Sequence, residues 1–570
     1  MAKGELDMCN DRKKHFMRRL IFVTLFGFSV LIWHQAFAWQ TILNNPDGPD
    51  LFQAVATDSA DNVIGAGLTT RANGDRGIVV AKFSGLDGIL LWRVEIDGAT
   101  NGDDEAFAVA VDSNDDVLAV GKVRNQDVPF DLIVVKLASS NGAELWRRII
   151  NGTADNDDVA RSVAIDSAND IVVAGKITDA ITSANFAVIK FSGADGTTQW
   201  TWTTEGDAHT VSVNSQNEVI AGGSTNVGFA VVKIDSNGGL VWRQEIPRLA
   251  CCLDTVFSVA LDSHDDVFAA GNRQLDFAAA KLSGNSGAVI WSRQISGTQN
   301  SGEQANRVAV DLNNDAVVAG FTRNTGTGSD FTVIKFSGTT GVTQWAQAID
   351  GGAFGTGDVA MDLVTDGLGD VYVTGDIATD AFGAQDLAFL KFAGGNGSEL
   401  WRHMAPLRSR GNALAIDSAN NVVAGGEFFQ NPGDPDLGAI KLDGTTGFDF
   451  PVDTAPPALS VSVHPSRLWP PNGQMVSVAV SGTITDNNSR VDATTAIFSA
   501  ADEYGHIQAS GPVSLGSGGS YLFTISLQAS RRGNDRDGRQ YTIRVSAEDL
   551  AGNPGSTSTV VTVPHDQRKK

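Results

Sequence analysis

The chain has 570 residues, of which 42 are Lys or Arg and 66 are Asp or Glu, so its net charge at pH 7 is −24. This length allows three or four average domains, or one large repeat fold with an added module. The acidic balance excludes nucleic acid as an expected partner and favours solubility and cations.

Residues 1–38 have the pattern of a secretory signal. A basic region is followed by an apolar run from Leu20 to Trp33 and by the small-residue cleavage site Ala36-Phe37-Ala38. An uncleaved anchor is the alternative, but the run is shorter than the ~20 residues of a spanning helix. Cleavage removes six basic and three acidic residues and leaves 36 basic against 63 acidic, a net charge of −27. We therefore expect a secreted or cell-surface protein whose mature chain starts at Trp39 and has no membrane span.

An 11-residue unit, seen in Lys335 to Trp345, recurs along most of the chain. Eight copies begin at Lys82, Lys136, Lys190, Lys233, Lys281, Lys335, Lys391 and Lys441. Seven of them end in a Trp, at Trp92, Trp146, Trp200, Trp242, Trp291, Trp345 and Trp401, whereas the last copy has Pro451 instead. The chain is an array, and a residue present in every copy is expected to be structural.

Each copy lies in a unit of four short strands. In residues 104–150 the strand signals are Ala108–Val111, Val117–Val120, Asp131–Leu137 and a stretch around Trp146, with turn residues between them. Four strands in roughly 40 to 55 residues are typical of a β-propeller blade, and the 3.6-residue periodicity of a helical solenoid is absent. The predicted fold class is all-β.

An Asp and a Gly nine residues apart set the register of each inner hairpin. The pairs are Asp58/Gly67, Asp112/Gly121, Asp166/Gly175, Asp262/Gly271, Asp311/Gly320, Asp366/Gly375 and Asp417/Gly426, with Asn214/Gly223 in the remaining copy. Eight hairpins predict eight blades over residues 39–450. We expect Trp39 and the strand that it begins to complete the last blade, because ring closure covers edge strands that an open array exposes.

The repeated Lys and the register Asp should meet at one end of each blade, because the first and third strands run in the same direction. Our hypothesis is a structural ring of Lys-Asp pairs. Partly buried pairs of this kind organise geometry more than they add stability.

A second acidic position lies eight residues before the register residue. It is occupied by Asp50, Asp104, Asp158, Asp254, Glu303 and Asp358, whereas two copies have Gly206 and Ser409. One interpretation is a cap or turn device at the start of the inner strand. The other is a funnel on the top face that attracts a cation, for which calcium would suit carboxylate ligands from several blades.

The 11-residue unit resembles the tryptophan-docking motif of eight-bladed quinoprotein dehydrogenases, which has a Gly four residues before the Trp, as in Gly142 to Trp146. This chain has Lys where the family has Ala, and Ser337 where the family often has Asp. The unit is equally similar to the propeller repeats of secreted bacterial proteins. The resemblance covers residues 39–450 and implies the fold.

A second module follows a Pro-rich linker, residues 451–458. Short alternating strands across residues 459–565 predict a β-sandwich, followed by a charged tail, residues 566–570. The pieces Leu468-Trp469-Pro470-Pro471-Asn472 and Asp549-Leu550-Ala551-Gly552-Asn553 resemble an immunoglobulin-like module of bacterial extracellular proteins. That resemblance implies a spacer or an adhesion role.

Cys251 and Cys252 are adjacent in the link between two blades. They could form a vicinal disulfide, bridge to another chain or stiffen a loop. In some quinoprotein alcohol dehydrogenases such a disulfide covers the cofactor. The family's calcium-binding Glu and Asn and its catalytic Asp, however, cannot be placed on any motif of this chain.

The sequence contains no nucleophile elbow, zinc signature or phosphate loop. We therefore predict a non-catalytic binding or adhesion scaffold that displays top-face loops, such as Asn324–Ser329, to an extracellular protein or glycan, with no cofactor required. The alternative is an extracellular oxidoreductase that uses pyrroloquinoline quinone and calcium. A self-assembling surface-layer component is a third interpretation.

Overall fold

The computed structural model describes residues 38–565 except 44, 46, 100–101, 126–128, 155, 182–183, 249–253, 300, 353–356, 379–384, 406–408, 432–433, 448–455, 487–490, 517–518 and 550–552. The predicted signal, the Cys251-Cys252 pair, most of the linker and the charged tail lie outside the described residues. Nothing in the described part of the chain is an α-helix, so the prediction of an all-β protein is confirmed there.

Thirty-two strands form repeated four-stranded sheets that resemble those of a propeller. Strand β1 (Trp39–Leu43) is followed by sheet 1, made of β2 (Leu51–Thr57), β3 (Val63–Thr70), β4 (Arg76–Phe83) and β5 (Leu90–Ile96). Sheet 2 is β6 (Glu105–Val111), β7 (Val117–Arg124), β8 (Phe130–Leu137) and β9 (Glu144–Ile150). Sheet 3 is β10 (Val159–Ile165), β11 (Ile171–Ile177), β12 (Asn185–Phe191) and β13 (Thr198–Glu205). Sheet 4 is β14 (Asp207–Val213), β15 (Val219–Ser224), β16 (Gly228–Ile234) and β17 (Leu240–Pro247).

The remaining sheets repeat this order. Sheet 5 is β18 (Thr255–Leu261), β19 (Val267–Arg273), β20 (Asp276–Leu282) and β21 (Val289–Ile295). Sheet 6 is β22 (Gln304–Val310), β23 (Ala316–Asn324), β24 (Gly328–Phe336) and β25 (Thr343–Ile349). Sheet 7 is β26 (Val359–Thr365), β27 (Val371–Ala378), β28 (Gln385–Phe392) and β29 (Glu399–Met404). Sheet 8 contains β30 (Ser409–Ile416), β31 (Val422–Asn431), β32 (Asp434–Leu442) and β1.

Strand β1 supplies the outermost strand of sheet 8. It pairs antiparallel with β32, with Trp39 opposite Lys441 and Thr41 opposite Ala439. The first strand of each sheet contacts the first strands of the sheets before and after it, and β30 contacts β2, so the contacts form a closed cycle. The chain therefore joins its last sheet to its first through its own N-terminal strand.

Neighbouring sheets pack on each other through apolar cores. One core joins Ile64 and Val80 of sheet 1 to Val117 of sheet 2. Another joins Phe52 of sheet 1 to Val423 of sheet 8, which closes the cycle. Central strands are buried on both faces, which explains why they are continuous runs of Val, Ile and Ala.

Each sheet has two distinct ends. The docking end carries the turn between the first and second strands, for example Asp58–Asn62, and the turn that leads to the outermost strand, for example Ser84–Ile89. The loop end carries the hairpin between the second and third strands and the link to the next sheet.

The C-terminal residues form two further sheets. One contains β33 (Ala458–Leu459), β34 (Ser462–His464), β35 (Met475–Thr485) and β38 (Ser520–Gln528). The other contains β36 (Ile497–Asp502), β37 (Ile507–Pro512), β39 (Arg539–Glu548) and β40 (Pro554–Val563). Val480 of the first sheet and Ile543 of the second belong to one buried core. In the described part of the chain, no helix is long and apolar enough to cross a membrane.

Candidate functional site

The repeated Trp residues join each sheet to the next at the docking end. Each indole Nε1 donates to a backbone carbonyl of the following sheet, over 2.9 to 3.3 Å. The donor and acceptor residues are, in chain order, Trp39 and Gly85, Trp92 and Ser139, Trp146 and Gly193, Trp200 and Ser236, Trp242 and Gly284, Trp291 and Gly338, Trp345 and Gly394, and Trp401 and Gly444. Trp39 thus docks sheet 8 onto sheet 1.

A Gly beneath each indole allows this close approach. At Gly341 the backbone has φ +66°, and a Cβ would lie 2.6 Å from the ring of Trp291. Only Gly combines a left-handed backbone with room for the ring. This explains why a Gly lies four residues before the Trp in the repeat.

The repeated Lys residues lie at the same junctions. Each ammonium lies 2.6 to 3.3 Å from a carboxylate oxygen of its own sheet. Six of them also donate to the carbonyl that accepts the Trp of the same sheet, as Lys335 does to Gly394 at 2.7 Å. Lys and Trp therefore dock sheets together, and a ligand role is not needed to explain their repetition.

Sheet 4 keeps an ion pair at its repeated Lys even though it lacks the register Asp. Asn214 replaces the register Asp, and Lys233 pairs instead with Glu218 at 2.6 Å. Burial alone would raise the pKa of Glu218, but the hydrogen bonds from Lys233 and Asn214 outweigh it and hold the pKa below its usual value. The same balance lowers the pKa of Asp58 beside Lys82.

The six predicted acidic residues lie at the loop end and are at most 1% exposed. In five of them, one oxygen accepts the backbone N–H of the residue twenty positions later, at 2.6 to 2.8 Å; the acceptors are Asp50, Asp104, Asp158, Asp254 and Asp358. The structure therefore places these carboxylates inside the loops and not on an open surface. This is the arrangement of the cap interpretation.

Asp104 shows the full geometry of such a carboxylate bridge. Its N–H donates to Arg76 of sheet 1, while its two oxygens accept the N–H of Arg124 at 2.6 Å and of Gly98 at 2.7 Å. Burial, together with the adjacent Asp97 carboxyl, raises the pKa of Asp104 to about 6. One side chain thus fixes the link between two sheets and the end of a hairpin.

Two sheets lack the bridge, as the sequence indicated. Gly206 still donates its N–H to Ala184 of the preceding sheet, but has no side chain to hold the loops. At the corresponding position of sheet 8, the Ser409 hydroxyl accepts the N–H of Leu387. Sheet 4 therefore keeps the backbone junction without the carboxylate, whereas in sheet 8 a side-chain hydroxyl makes the contact with the preceding sheet.

The carboxylates of Asp104 and Asp358 do not fit a calcium site, because both oxygens of each already accept backbone N–H groups that would compete with a cation. Asp50, Asp254 and Glu303 each have one buried oxygen that accepts no hydrogen bond from the part of the chain that the structure describes. Within the described residues, no group of three or more His, Cys, Asp or Glu is arranged to hold a metal ion.

Sequence reasoning missed a second set of residues at the loop end. The first strand of every sheet has a β-bulge at the same place. The bulged residues are Gln53, Phe107, Arg161, His209, Phe257, Asn306, Met361 and Asn412. Unlike the docking residues, they include six different residue types over eight sheets, so this position varies on a constant frame.

Several bulge residues reach the following sheet. Arg161 forms two hydrogen bonds with Asp207, at 3.1 and 3.0 Å, and the ring of His209 lies edge-on to Phe257. Burial lowers the pKa of His209 to about 4, so the imidazole is neutral at physiological pH. The charge of Asp207 is therefore balanced by Arg161.

Sheets 7 and 8 place two unusual carboxyls at this end. Burial raises the pKa of Asp376 to about 7, despite the hydrogen bond from Gly411 and the nearby Arg410 guanidinium. Burial also raises the pKa of Glu427, again against the effect of Arg410. Both residues directly follow the register Gly, which is the sequence signal that could have identified them.

The raised pKa of Asp376 predicts a defined pH dependence. Between about pH 4 and pH 7 the folded protein keeps a proton that the unfolded chain has lost, so this group's contribution to stability falls as the pH rises. Asp376→Asn should therefore melt at a higher temperature than the wild type at pH 8, and the difference should shrink by pH 5. Thermal melts at both pH values measure it. A difference that is equal at both values would contradict the assignment.

Comparisons with known proteins fit this architecture. The sequence family described as "Outer membrane protein assembly factor BamB" matches residues 75–329. No curated protein sequence matches significantly. The family match lies within the part of the chain that forms the repeated sheets, residues 39–442.

Three solved structures are similar to the chain at low identity. BamB from Moraxella catarrhalis is 14% identical, with 70% of this chain and 97% of that chain covered and a TM-score of 0.42. A quinohemoprotein alcohol dehydrogenase from Pseudomonas putida is 12% identical, with 74% and 79% covered and a TM-score of 0.48. The corresponding enzyme from Comamonas testosteroni is 9% identical, with 74% and 78% covered and a TM-score of 0.48. The sheets and the family match together identify the chain as a β-propeller repeat protein, with BamB-like repeats in residues 75–329.

Proposed function

We propose that the protein is a secreted or cell-surface, non-catalytic binding scaffold that presents its loop end to an extracellular protein or glycan. The single observation that supports this most is the carboxylate bridge. A buried Asp or Glu recurs at one position in six sheets and holds the loops around it, while the bulge residues include six residue types and the hairpin tips vary in sequence. A constant frame beneath variable loops is the arrangement of display folds.

The proposal includes the finer architecture. The closed cycle of first-strand contacts supports an eight-bladed propeller, completed by β1. The two C-terminal sheets around one core support an immunoglobulin-like module, which would act as a spacer or adhesion unit. Secretion rests on the N-terminal signal pattern in the sequence.

The alternative is an extracellular oxidoreductase that uses pyrroloquinoline quinone and calcium. The relatives with that chemistry share only the fold, and the functions of proteins with one fold differ widely. The buried carboxylates of this chain hold loop backbone, which supports the scaffold instead.

Binding and catalysis are tested on the same mature protein. A glycan array and immobilised extracellular matrix proteins serve as binding probes. Loop-end variants replace Arg71–Asp75 of sheet 1 or Thr325–Thr327 of sheet 6 with Gly-Ser turns, and a docking-end variant, Leu86→Ser, is the control. We expect the unmodified protein to bind at least one probe. At least one loop-end variant should lose this binding, and the control Leu86→Ser should keep it.

The oxidoreductase is tested by adding pyrroloquinoline quinone and calcium and measuring dye-linked oxidation of alcohols and sugars. We expect none. Oxidation above that of a heat-denatured sample, or no binding to any probe, would overturn the scaffold proposal.

A further inference from the structure

The outermost strand of sheet 3, β13, differs from most other outermost strands. Five of the others carry an Arg shortly after the docking Trp, namely Arg93, Arg147, Arg243, Arg293 and Arg402. Strand β13 reads Thr-Gln-Trp-Thr-Trp-Thr-Thr-Glu and has no charge from Thr198 to Thr204. Charged side chains are a common protection of edge strands against pairing with another chain, and β13 lacks them.

Among the described strands, none pairs with the outer edge of β13. It is the last strand in the order β10-β11-β12-β13, and β12 occupies only its inner edge. Thr, Trp and Gln along it favour an extended strand. An edge with these properties is the type of surface on which strand addition occurs.

The aromatic residues of β13 are less covered than their counterparts. Trp200 is half-buried, whereas the docking Trp residues of sheets 1, 2, 4, 5, 6 and 7 are only 6 to 8% exposed. The turn of sheet 4 that receives Trp200 closes from Asp235 to Gly239 and is one residue shorter than the turn from Ser283 to Ala288, which receives the buried Trp242. Trp202, on the same face of β13, is also half-buried.

A second copy of this strand fits that edge. In an antiparallel pair with a two-fold axis at Thr201, the same face of β13 in both copies lies on the same side of the joined sheet. Trp200 of each copy then lies opposite the partner's Trp202. On the other face, Gln199 lies opposite the partner's Thr203. Cross-strand aromatic pairs stabilise a sheet, and none of the paired side chains from Thr198 to Thr204 is itself charged. The Arg243 guanidinium of sheet 4 donates to the Thr204 hydroxyl at 2.6 Å, at the end of this segment.

We propose that β13 is the interface of a homodimer, in which two copies pair their β13 strands antiparallel about Thr201 and continue sheet 3 across the two-fold axis. This isologous contact buries the exposed parts of Trp200 and Trp202. A single strand pair is smaller than a standard interface, so the dimer should dissociate in the micromolar range.

Sedimentation equilibrium of the mature chain from about 1 to 100 µM tests the proposal, because this range spans the expected dissociation constant. Thr201→Lys sets two Lys side chains against each other and should weaken the dimer about tenfold or more. The matched control is Ala346→Lys in β25, which also follows a docking Trp and lies on an uncharged outermost strand. It should leave the dimer unchanged. Thermal melts verify that both variants are folded.

A cross-link provides a second readout that does not depend on charge. Thr201→Cys, with Cys251 and Cys252 replaced by Ser, should form a disulfide between two copies, since paired strands bring opposite Cα atoms within disulfide range. Ala346→Cys should not. The proposal is overturned if the wild type is monomeric throughout the range, if Thr201→Lys leaves the dimer intact, or if both Lys variants weaken it equally.

Discussion

Trp291→Ala should lower the free energy of unfolding by about 3 to 5 kcal/mol, because a large buried side chain is lost and its cavity remains. Trp291 is 6% exposed, donates to Gly338 at 3.1 Å, and lies about 6 Å from the rings of Phe268 and Phe336. The substitution removes the contacts of Trp291 with Gly338 and Phe336 of sheet 6 and its contact with Phe268 within sheet 5. Equilibrium unfolding in urea measures the loss.

The matched control for Trp291→Ala is Trp39→Ala. Trp39 makes the same type of hydrogen bond, to Gly85 at 3.3 Å, but is only half-buried. Its loss should therefore lower the free energy of unfolding by less than the loss of Trp291. Equal costs at the two positions would show that burial at the docking end does not set the effect.

Lys335→Met should lower the free energy of unfolding by about 3 to 5 kcal/mol, because it leaves a buried carboxylate without its counter-ion. The Lys335 ammonium lies 2.6 Å from Asp311 and 2.7 Å from the Gly394 carbonyl, and its side chain is 3% exposed. Thermal and urea unfolding measure the cost. Binding at the loop end should be unchanged.

A double variant separates the charge from the packing. Lys335→Met with Asp311→Asn removes both charges but keeps the side-chain oxygen that organises the turn, as Asn214 does in sheet 4. It should recover much of the stability that the single variant loses. A double variant less stable than Lys335→Met alone would contradict the ion-pair account.

The fold was largely predictable because its repeated residues meet geometric requirements that every sheet shares. Gly121 shows the reason: the bulge in β6 brings the Glu105 carbonyl so close that a Cβ at Gly121 would lie 1.9 Å from it. No other residue fits, so the Gly marks each hairpin in the sequence. The predicted strand of Ala108–Val111 is part of β6, which starts three residues earlier, because the bulge interrupts the alternation that marks a strand.

The candidate site was less predictable because the identity of one residue does not show whether its side chain is buried. Asp104 could be recognised as a repeated charge, but its partners Gly98 and Arg124 lie on separate segments. The recurring tripeptides Ile96-Asp97-Gly98 and Ile349-Asp350-Gly351 were the available signal, since their Gly N–H groups bind the carboxylates. Sequence alone could not distinguish a buried bridge from an open funnel.

Closure of the cycle by the N-terminal strand is tested most directly by a disulfide across it. Thr41 and Ala439 are paired residues of β1 and β32, and such pairs lie within disulfide range. With Cys251 and Cys252 replaced by Ser, the variant Thr41→Cys/Ala439→Cys should form the bond within one chain. Mass spectrometry of the digested protein should identify the linked peptides, and the melting temperature should rise because a long loop is closed. Free thiols at both positions, or a bond found only between two chains, would contradict the closed cycle.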